Sequence, residues 1–267
     1  MGVLNVTPDS FSDGGLFMDV DRAVDHAREM EDEGAAIVDV GGESTRPGAE
    51  PVPEADELER VIPVVERIAT DTGPRVSIDT RNARVAEAAL QAGARIVNDV
   101  SAFRTSPEIA EIVASAGAGC ILMHMRGDDP RTMQDDPRYD DVVSDVKAFL
   151  EERLAFAVLE GVLEDRIWLD PGIGFGKTLE HNLELLRRLD EIVAIGQPVV
   201  VGTSRKSFLG RLTGRSETER VAATVAANVI AYERGASIFR VHDVAANVDA
   251  LKVAAATVPA PWPTKST

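Results

Sequence analysis

The sequence predicts a single (β/α)₈, or TIM, barrel with its active site at the carboxyl ends of the strands. Three observations support this fold class. The chain has 267 residues, enough for one large α/β domain. Short apolar runs rich in β-branched residues alternate with amphipathic helical patterns along it. The runs are continuously apolar, as in parallel strands that helices cover on both faces. We expect residues 1–257 to form the barrel and residues 258–267, with three prolines, to be a disordered tail.

Eight apolar runs are predicted to be strands, at residues 2–6, 36–40, 75–79, 95–98, 120–124, 167–170, 198–202 and 238–242. A helical pattern follows each run, at residues 19–33, 54–70, 83–91, 107–116, 140–159, 180–193, 217–234 and 244–256. A glycine precedes each later strand, and we expect these glycines to close the helices in the left-handed conformation: Gly34, Gly73, Gly93, Gly117, Gly161, Gly196 and Gly235. Because strand order cannot be read from a sequence, a doubly wound open sheet is the alternative.

The composition excludes some classes of partner. With 28 basic and 45 acidic residues, the formal net charge is −17, so nucleic acid is not expected to bind. We expect no secretory signal, no membrane span and a cytoplasmic location. Cys120 lies in an apolar run and is expected to be a buried, inert thiol. The acidic, lysine-poor composition suggests adaptation to high salt, although a codon bias would look similar. The charged stretches 54–66 and 151–164 are predicted to be solvated helix faces.

Residues capable of binding or chemistry stand at the ends of nearly all the predicted strands. In a barrel these ends share one rim, which carries the chemistry. A single carboxylate there is commonly the cap of the next helix, but so many such ends together indicate a site. The strand-end residues are Asn5, Asp39, Asp79, Asn98, Met123, His124, Asp170, Gly202, Thr203, Arg240 and His242.

Two neighbouring strand ends predict an anion site. After the seventh strand, Gly202-Thr-Ser-Arg-Lys-Ser207 presents two cations, Arg205 and Lys206, before a short helical turn. After the eighth, Arg240 and His242 point the same way because of the two-residue period of a strand. Cations gathered in an otherwise acidic protein would suit a diphosphate.

Asp79 and Asp170, with Asn98, are expected to face these cations across the rim. Two carboxylates and an amide suit a flat heterocycle that carries several N–H donors, and the carboxylates could also act as general acid and base. Clusters with transition-metal spacing are not found, whereas Mg²⁺ is commonly held through few protein ligands. Asn5 is a candidate for one of them.

Three loops add candidate residues. Asn5-Val-Thr-Pro-Asp-Ser-Phe-Ser-Asp-Gly-Gly15 is long and polar, and residues 7–15 are expected to be a mobile lid. Gly41-Gly-Glu-Ser-Thr-Arg-Pro-Gly48 offers Thr45 and Arg46 as anion donors. Asp170-Pro-Gly-Ile-Gly-Phe-Gly-Lys177 brings backbone close to a ligand and offers Phe175 as an apolar wall. Met123 is either a stacking surface or part of the core.

These loops, together with Ser-Ile-Asp-Thr, Val-Asn-Asp-Val-Ser, Thr-Ser-Arg-Lys-Ser and Arg-Val-His-Asp-Val, occur in an order that resembles the dihydropteroate synthase family from the first residues to about Leu251. The resemblance implies condensation of 6-hydroxymethyl-7,8-dihydropterin diphosphate with p-aminobenzoate, release of diphosphate, Mg²⁺ as cofactor, sensitivity to sulfonamides and a homodimer. The reaction would begin with C–O cleavage to a pterin cation, which the aniline then attacks.

The resemblance also implies a role for each matching residue. The pterin would be held by Asp79, Asn98, Met123, Asp170 and Lys206. The diphosphate would be taken by Thr45, Arg240 and His242, with Asn5 on the metal. The p-aminobenzoate would be surrounded by Phe11, Pro47, Phe175, Lys206 and Ser207. Asp13 and Arg46, on loops that close over the site, would join Asp79 and Lys206 as catalytic residues.

The chain departs from the family pattern at its start, where members usually carry residues before the first strand; a short start, a downstream start or a fusion would each explain it. Two other functions fit parts of the sequence. A pterin-dependent methyltransferase would share the carboxylate and amide pocket but would not need the diphosphate groups. A catalytically silent paralogue would bind pterin without turnover, which the intact Asp13, Lys206 and Arg240 disfavour.

Overall fold

The structure is a computed structural model that describes residues 1–6, 16–44, 52–127, 132–135 and 137–257. In these ranges the strands are β1 Gly2–Asn5, β2 Ile37–Gly41, β3 Arg75–Asp79, β4 Ile96–Asp99, β5 Gly119–Met123, β6 Ile167–Asp170, β7 Val200–Val201 and β8 Ile238–Phe239. The helices are α1 Leu16–Asp32, α2 Glu54–Asp71, α3 Ala83–Gln91, α4 Ile109–Ala116, α5 Val142–Leu159, α6 Leu179–Arg187, α7 Leu189–Val193, α8 Ser207–Thr213, α9 Val221–Glu233 and α10 Val244–Thr257. None of these helices is long and apolar enough to cross a membrane.

The strands form a closed parallel barrel, which confirms the predicted fold class and removes the open-sheet alternative. β1 to β6 pair in sequence order, and β7 pairs with β8. Single bridges join the two groups, Leu169 with Val199 and Gly2 with Val241. At the closure, the Val3 amide donates to the Val241 carbonyl at 3.0 Å.

The two faces of each strand enter different layers. Outward-facing residues such as Val38, Val97 and Leu122 are fully buried against the helices, in the main apolar core. Inside the barrel, Ile37, Ile96, Ile121 and Val200 form a separate apolar layer near the amino ends of the strands. Two residues further along β2 and β4, the period-two alternation places the polar side chains of Asp39 and Asn98 inside the barrel, above this apolar layer. The polar residues of the site therefore lie directly above an apolar layer.

The observed elements differ from the sequence expectations at three places. The helix predicted over 180–193 is interrupted at Arg188, whose φ of −109° and ψ of 27° leave the helical region. Gly73, unlike the other six glycines at helix ends, does not have a positive φ. Its amide donates to Glu31 Oε1 at 3.1 Å, and nothing in the backbone conformation requires a glycine there. Glu57 does not lie on a solvated face: it is 4% exposed and accepts a hydrogen bond from the Thr80 hydroxyl at 2.8 Å.

Candidate active site

A cavity of about 870 Å³ opens at the carboxyl ends of the strands. Its lining includes every predicted site residue that the structure describes: Asn5, Asp79, Asn98, Met123, Asp170, Phe175, Lys206, Ser207, Arg240 and His242. The remaining five predicted residues, Phe11, Asp13, Thr45, Arg46 and Pro47, lie outside the described residues. Eight strand ends thus converge as a parallel barrel requires.

Two carboxylates, Asp79 and Asp170, lie at the floor of this cavity. Asp170 is 5% exposed, and its Oδ1 accepts the Gly172 amide at 2.6 Å. Burial raises the pKa of Asp170 to about 6, and the nearby lysines and Arg240 only partly oppose the shift. Burial also raises the pKa of Asp79 to about 7, against the opposing charge of Arg240. A ligand that brings N–H donors to these two carboxylates would stabilise their charged forms.

Arg240 does not face Asp79 across the rim, as the sequence suggested, but touches it. Its Nη2 donates to Asp79 Oδ2 at 2.7 Å, and its Nε donates to Asp39 Oδ2 at 2.6 Å. The same Asp39 oxygen accepts the Asn98 amide at 3.1 Å. Arg240 is therefore the centre of a buried cluster that links β2, β3, β4 and β8. Sequence inspection placed Asp39 at a strand end without assigning it a partner.

The cations after β7 and β8 divide into two groups. Lys206 Nζ lies 3.9 Å from the centroid of the Phe175 ring, inside the cavity. Arg205, by contrast, is held in a two-point ion pair by Asp243, with Nε to Oδ2 at 3.0 Å and Nη2 to Oδ1 at 2.5 Å. All four predicted cations, Arg205, Lys206, Arg240 and His242, line the cavity, and Arg205 and Arg240 are both paired with carboxylates.

Ser204 orients His242. The Ser204 hydroxyl oxygen accepts the His242 amide at 3.1 Å and lies 3.0 Å from its Nδ1. If the hydroxyl donates to Nδ1, Nε2 carries the proton of the neutral imidazole.

A chain of buried amides fixes the two anion-binding loops to each other. The Thr203 hydroxyl donates to Asn228 Oδ1 at 2.7 Å, Asn228 Nδ2 donates to Asn247 Oδ1 at 2.8 Å, and Asn247 Nδ2 donates to the Asp243 carbonyl at 2.8 Å. Thr203 follows β7 and Asp243 follows β8, so α9 and α10 hold both loops. This network carries no local sequence signal, because its members lie on four different elements.

Lys177 fastens the loop after β6. It is 4% exposed, and its Nζ donates to the Gly172 carbonyl at 2.9 Å and to the Phe175 carbonyl at 3.0 Å. Nζ also lies 2.9 Å from His124 Nδ1 at the end of β5. Burial lowers the pKa of Lys177 well below its ordinary value. Gly172 packs so tightly here that a Cβ would meet the His124 carbonyl oxygen at 1.9 Å.

This loop carries the apolar wall of the cavity. Phe175 packs against a cluster made of Val100, Met123, Met125 and Met133. Met123 is both buried, at 4% exposure, and part of the cavity lining. The two alternatives for Met123, core packing and ligand surface, are thus compatible.

The family that the sequence resembles implies Mg²⁺. Asn5 is exposed at the end of β1 and lines the cavity, and an amide oxygen suits a hard cation. In the described ranges there is no group of three or more His, Cys, Asp or Glu side chains able to hold a metal. One protein ligand, completed by phosphate oxygens and water, fits Mg²⁺ and does not fit a zinc site.

Comparisons with known proteins agree with this geometry. A family model described as "Pterin binding enzyme" matches residues 1–242. The dihydropteroate synthase of Mycobacterium leprae is 51% identical over 262 residues, covering 96% of this chain and 92% of that protein. The dihydropteroate synthase of Yersinia pestis, solved with a sulfonamide drug complex, superposes with a TM-score of 0.90 at 45% identity, covering 96% of this chain and 93% of that one. The enzyme of Xanthomonas albilineans in complex with 7,8-dihydropteroate superposes with a TM-score of 0.86 at 45% identity, covering 97% and 94%.

Proposed function

The chain belongs to the dihydropteroate synthase family, and from this premise we propose that it condenses 6-hydroxymethyl-7,8-dihydropterin diphosphate with p-aminobenzoate. The products are 7,8-dihydropteroate and diphosphate, so the protein is a transferase of folate biosynthesis. The observation that carries the proposal is one cavity in which Asp79, Asp170 and Asn98 form a polar floor beside Lys206 and Arg240.

The pterin is held at the floor. Its ring edge carries several N–H groups, which suit the oxygens of Asp79, Asn98 and Asp170. Asp170 is buried and the Asp79 side chain is 11% exposed, so N–H donors replace solvation that folding has removed. Met123 packs on the ring, and Lys206 supplies a donor from the opposite side.

The diphosphate is the leaving group. Arg240 and His242, with Thr45, receive its oxygens, and charge-assisted hydrogen bonds strengthen as negative charge develops there. Mg²⁺, held through Asn5, would neutralise part of that charge. The electron pair of the C–O bond leaves with the diphosphate, and Asp79 and Asp170 stabilise the remaining pterin cation.

The aniline nitrogen of p-aminobenzoate then attacks the cation, forming the C–N bond and losing a proton. Phe175, Lys206 and Ser207, with Phe11 and Pro47, surround this substrate. The cation is reactive enough for a weak nucleophile, so the protein needs no activated serine or cysteine. The family resemblance gives catalytic roles to Asp13 and Arg46 as well, and both lie outside the described residues. Sulfonamides would bind in place of p-aminobenzoate.

One assay tests this proposal: release of diphosphate from the pterin diphosphate. We expect release to require both p-aminobenzoate and Mg²⁺, and chromatography to identify 7,8-dihydropteroate. Pterin binding without release would indicate a silent paralogue, and methyl transfer from a methylated folate would indicate the methyltransferase alternative. In the same assay Lys206→Ala tests the role of Lys206. Its matched control is Lys147→Ala, which removes a lysine on α5 whose side chain is 36% exposed. The homodimer stays a prediction, which light scattering in solution would test, as does the cytoplasmic location.

A further inference from the structure

We propose that Asp39 is the positioning residue that fixes both halves of the pterin diphosphate site through one carboxylate oxygen. The inference rests on the proposed function, because it takes Arg240 as a diphosphate ligand and Asn98 as a pterin ligand. Asp39 is 0% exposed and is not among the residues that line the cavity. It therefore acts through its neighbours and does not touch substrate.

The geometry identifies the two neighbours. Asp39 Oδ2 accepts Arg240 Nε at 2.6 Å and Asn98 Nδ2 at 3.1 Å. Arg240 directly follows β8 and Asn98 lies on β4, on the opposite side of the barrel, and both line the cavity. A single buried carboxylate thus sets the distance between the donor for the diphosphate and the amide for the pterin.

Each contact fixes an orientation that matters for binding. Because Asn98 donates through Nδ2, its Oδ1 is the atom left to accept an N–H from the ring. Asp39 therefore makes Asn98 an acceptor at the site, as a pterin edge rich in N–H donors requires. For Arg240, the Nε contact holds the plane of the guanidinium, while its Nη2 donates to Asp79, which lines the cavity.

Asp39 and Asp79 differ in what they can do when ligand arrives. Both accept from Arg240, at 2.6 and 2.7 Å. Asp79, however, lines the cavity and is 11% exposed at its side chain, so it can exchange its arginine contact for a pterin N–H. Asp39 is closed off from ligand and keeps its contact. The fixed anchor of Arg240 is Asp39.

Ser77 provides a matched control. It is the register partner of Asp39 on β3, it is also 0% exposed, and its hydroxyl has no hydrogen-bond partner among the described residues. Ser77→Ala therefore changes a polar atom of the same interior layer without touching Arg240 or Asn98. A loss that any change of the barrel interior produces would appear in this variant as well.

The test is a double-mutant cycle on binding of inorganic diphosphate with Mg²⁺, measured by calorimetry for wild type, Asp39→Ala, Arg240→Ala and the double variant. We expect Asp39→Ala to weaken binding by about 10- to 100-fold, the range of a hydrogen bond to a charged group. In the Arg240→Ala background the same change should have almost no further effect, since Asp39 acts through the arginine. Ser77→Ala should bind as wild type does.

Two further readouts separate positioning from general damage. Affinity for 6-hydroxymethylpterin should also fall in Asp39→Ala, through Asn98, while the KM for p-aminobenzoate should stay unchanged. If Asp39→Ala does not fold, Asp39→Asn keeps the shape and removes the charge, and it enters the same cycle. Additive losses in the cycle, or an equal loss in Ser77→Ala, would overturn the inference. Absence of dihydropteroate synthesis by the wild type would instead refute the proposed function, and the binding cycle would still decide the role of Asp39.

Discussion

Lys177→Met is the variant whose effect follows most directly from the geometry. Methionine keeps the length and apolar volume of the lysine stem but removes the ammonium group. In the protein that ammonium reaches three acceptors at 2.9 to 3.0 Å, the carbonyls of Gly172 and Phe175 and the Nδ1 of His124. The substitution therefore leaves three buried acceptors each short of one donor.

The expected loss can be worked out from these contacts. Each lost hydrogen bond costs about 1 kcal/mol, or about 3 kcal/mol together. Removing a buried ammonium recovers part of this, because charges are costly to bury. We expect a net loss of about 2 kcal/mol in the free energy of unfolding, which in a chain of this size lowers Tm by about 4–8 °C. The KM for p-aminobenzoate should rise as well, because Phe175 lies on the loosened loop.

Urea unfolding and thermal melts followed by circular dichroism measure the first effect, and steady-state kinetics with each substrate varied measure the second. Lys147→Met is the control. Lys147 has a side chain that is 36% exposed and lies 3.8 Å from Glu151 in a surface pair, so its loss should change stability by no more than about 0.5 kcal/mol. If Lys177→Met unfolds with the same midpoint as Lys147→Met, the buried ammonium does not hold the loop and the reasoning is wrong.

Five other outcomes are expected. Lys206→Ala should lose most of its turnover while folding normally; near-normal activity would refute its role. The kcat/KM for the pterin diphosphate should fall as pH drops through about 7 and then about 6, because Asp79 and Asp170 become protonated and stop accepting N–H donors; in Asp170→Asn the lower step should vanish. The same two carboxylates should make folding less favourable as pH rises from about 4 to about 7, since burial raises their pKa values in the folded state. Asp13→Ala should reduce turnover without changing Tm, and intact turnover would remove the lid assignment. With a net charge of −17, the chain should gain stability in molar potassium chloride if it is salt-adapted, and a flat melting profile would contradict that hypothesis.

Much of the fold followed from local patterns. Helix 83–91 was predicted to the residue, because apolar spacing and a helical cap are properties of neighbouring positions. The break at Arg188 was not predicted, since the apolar spacing continues through it into Leu189 and Ile192, which are both buried. Glu57 also escaped prediction. A glutamate within an acidic helix carries no local sign that Thr80, 23 positions away, will donate a hydrogen bond to it in the interior.

Within the site, the residues of the rim could be predicted from the sequence, but the hydrogen bonds and ion pairs between their side chains could not. Asp79, Asn98 and Asp170 had to share one cavity once they ended parallel strands of a closed barrel. Arg205 forms an ion pair with Asp243, and Lys177 donates a hydrogen bond to the Gly172 carbonyl of its own loop. Both contacts depend on how separate parts of the chain pack together.

The sequence by itself determined the eight β/α units and predicted ten of the residues that line the cavity, because strand period and chain order are local and parallel strands end on one side. Closure of the strands into a barrel was decided by the tertiary structure. Only the tertiary structure decided that Arg240 is held by Asp39, 201 positions away in the chain. The partner of a buried charge depends on distances of a few ångströms and on the solvent that folding removes. A local sequence pattern determines neither quantity.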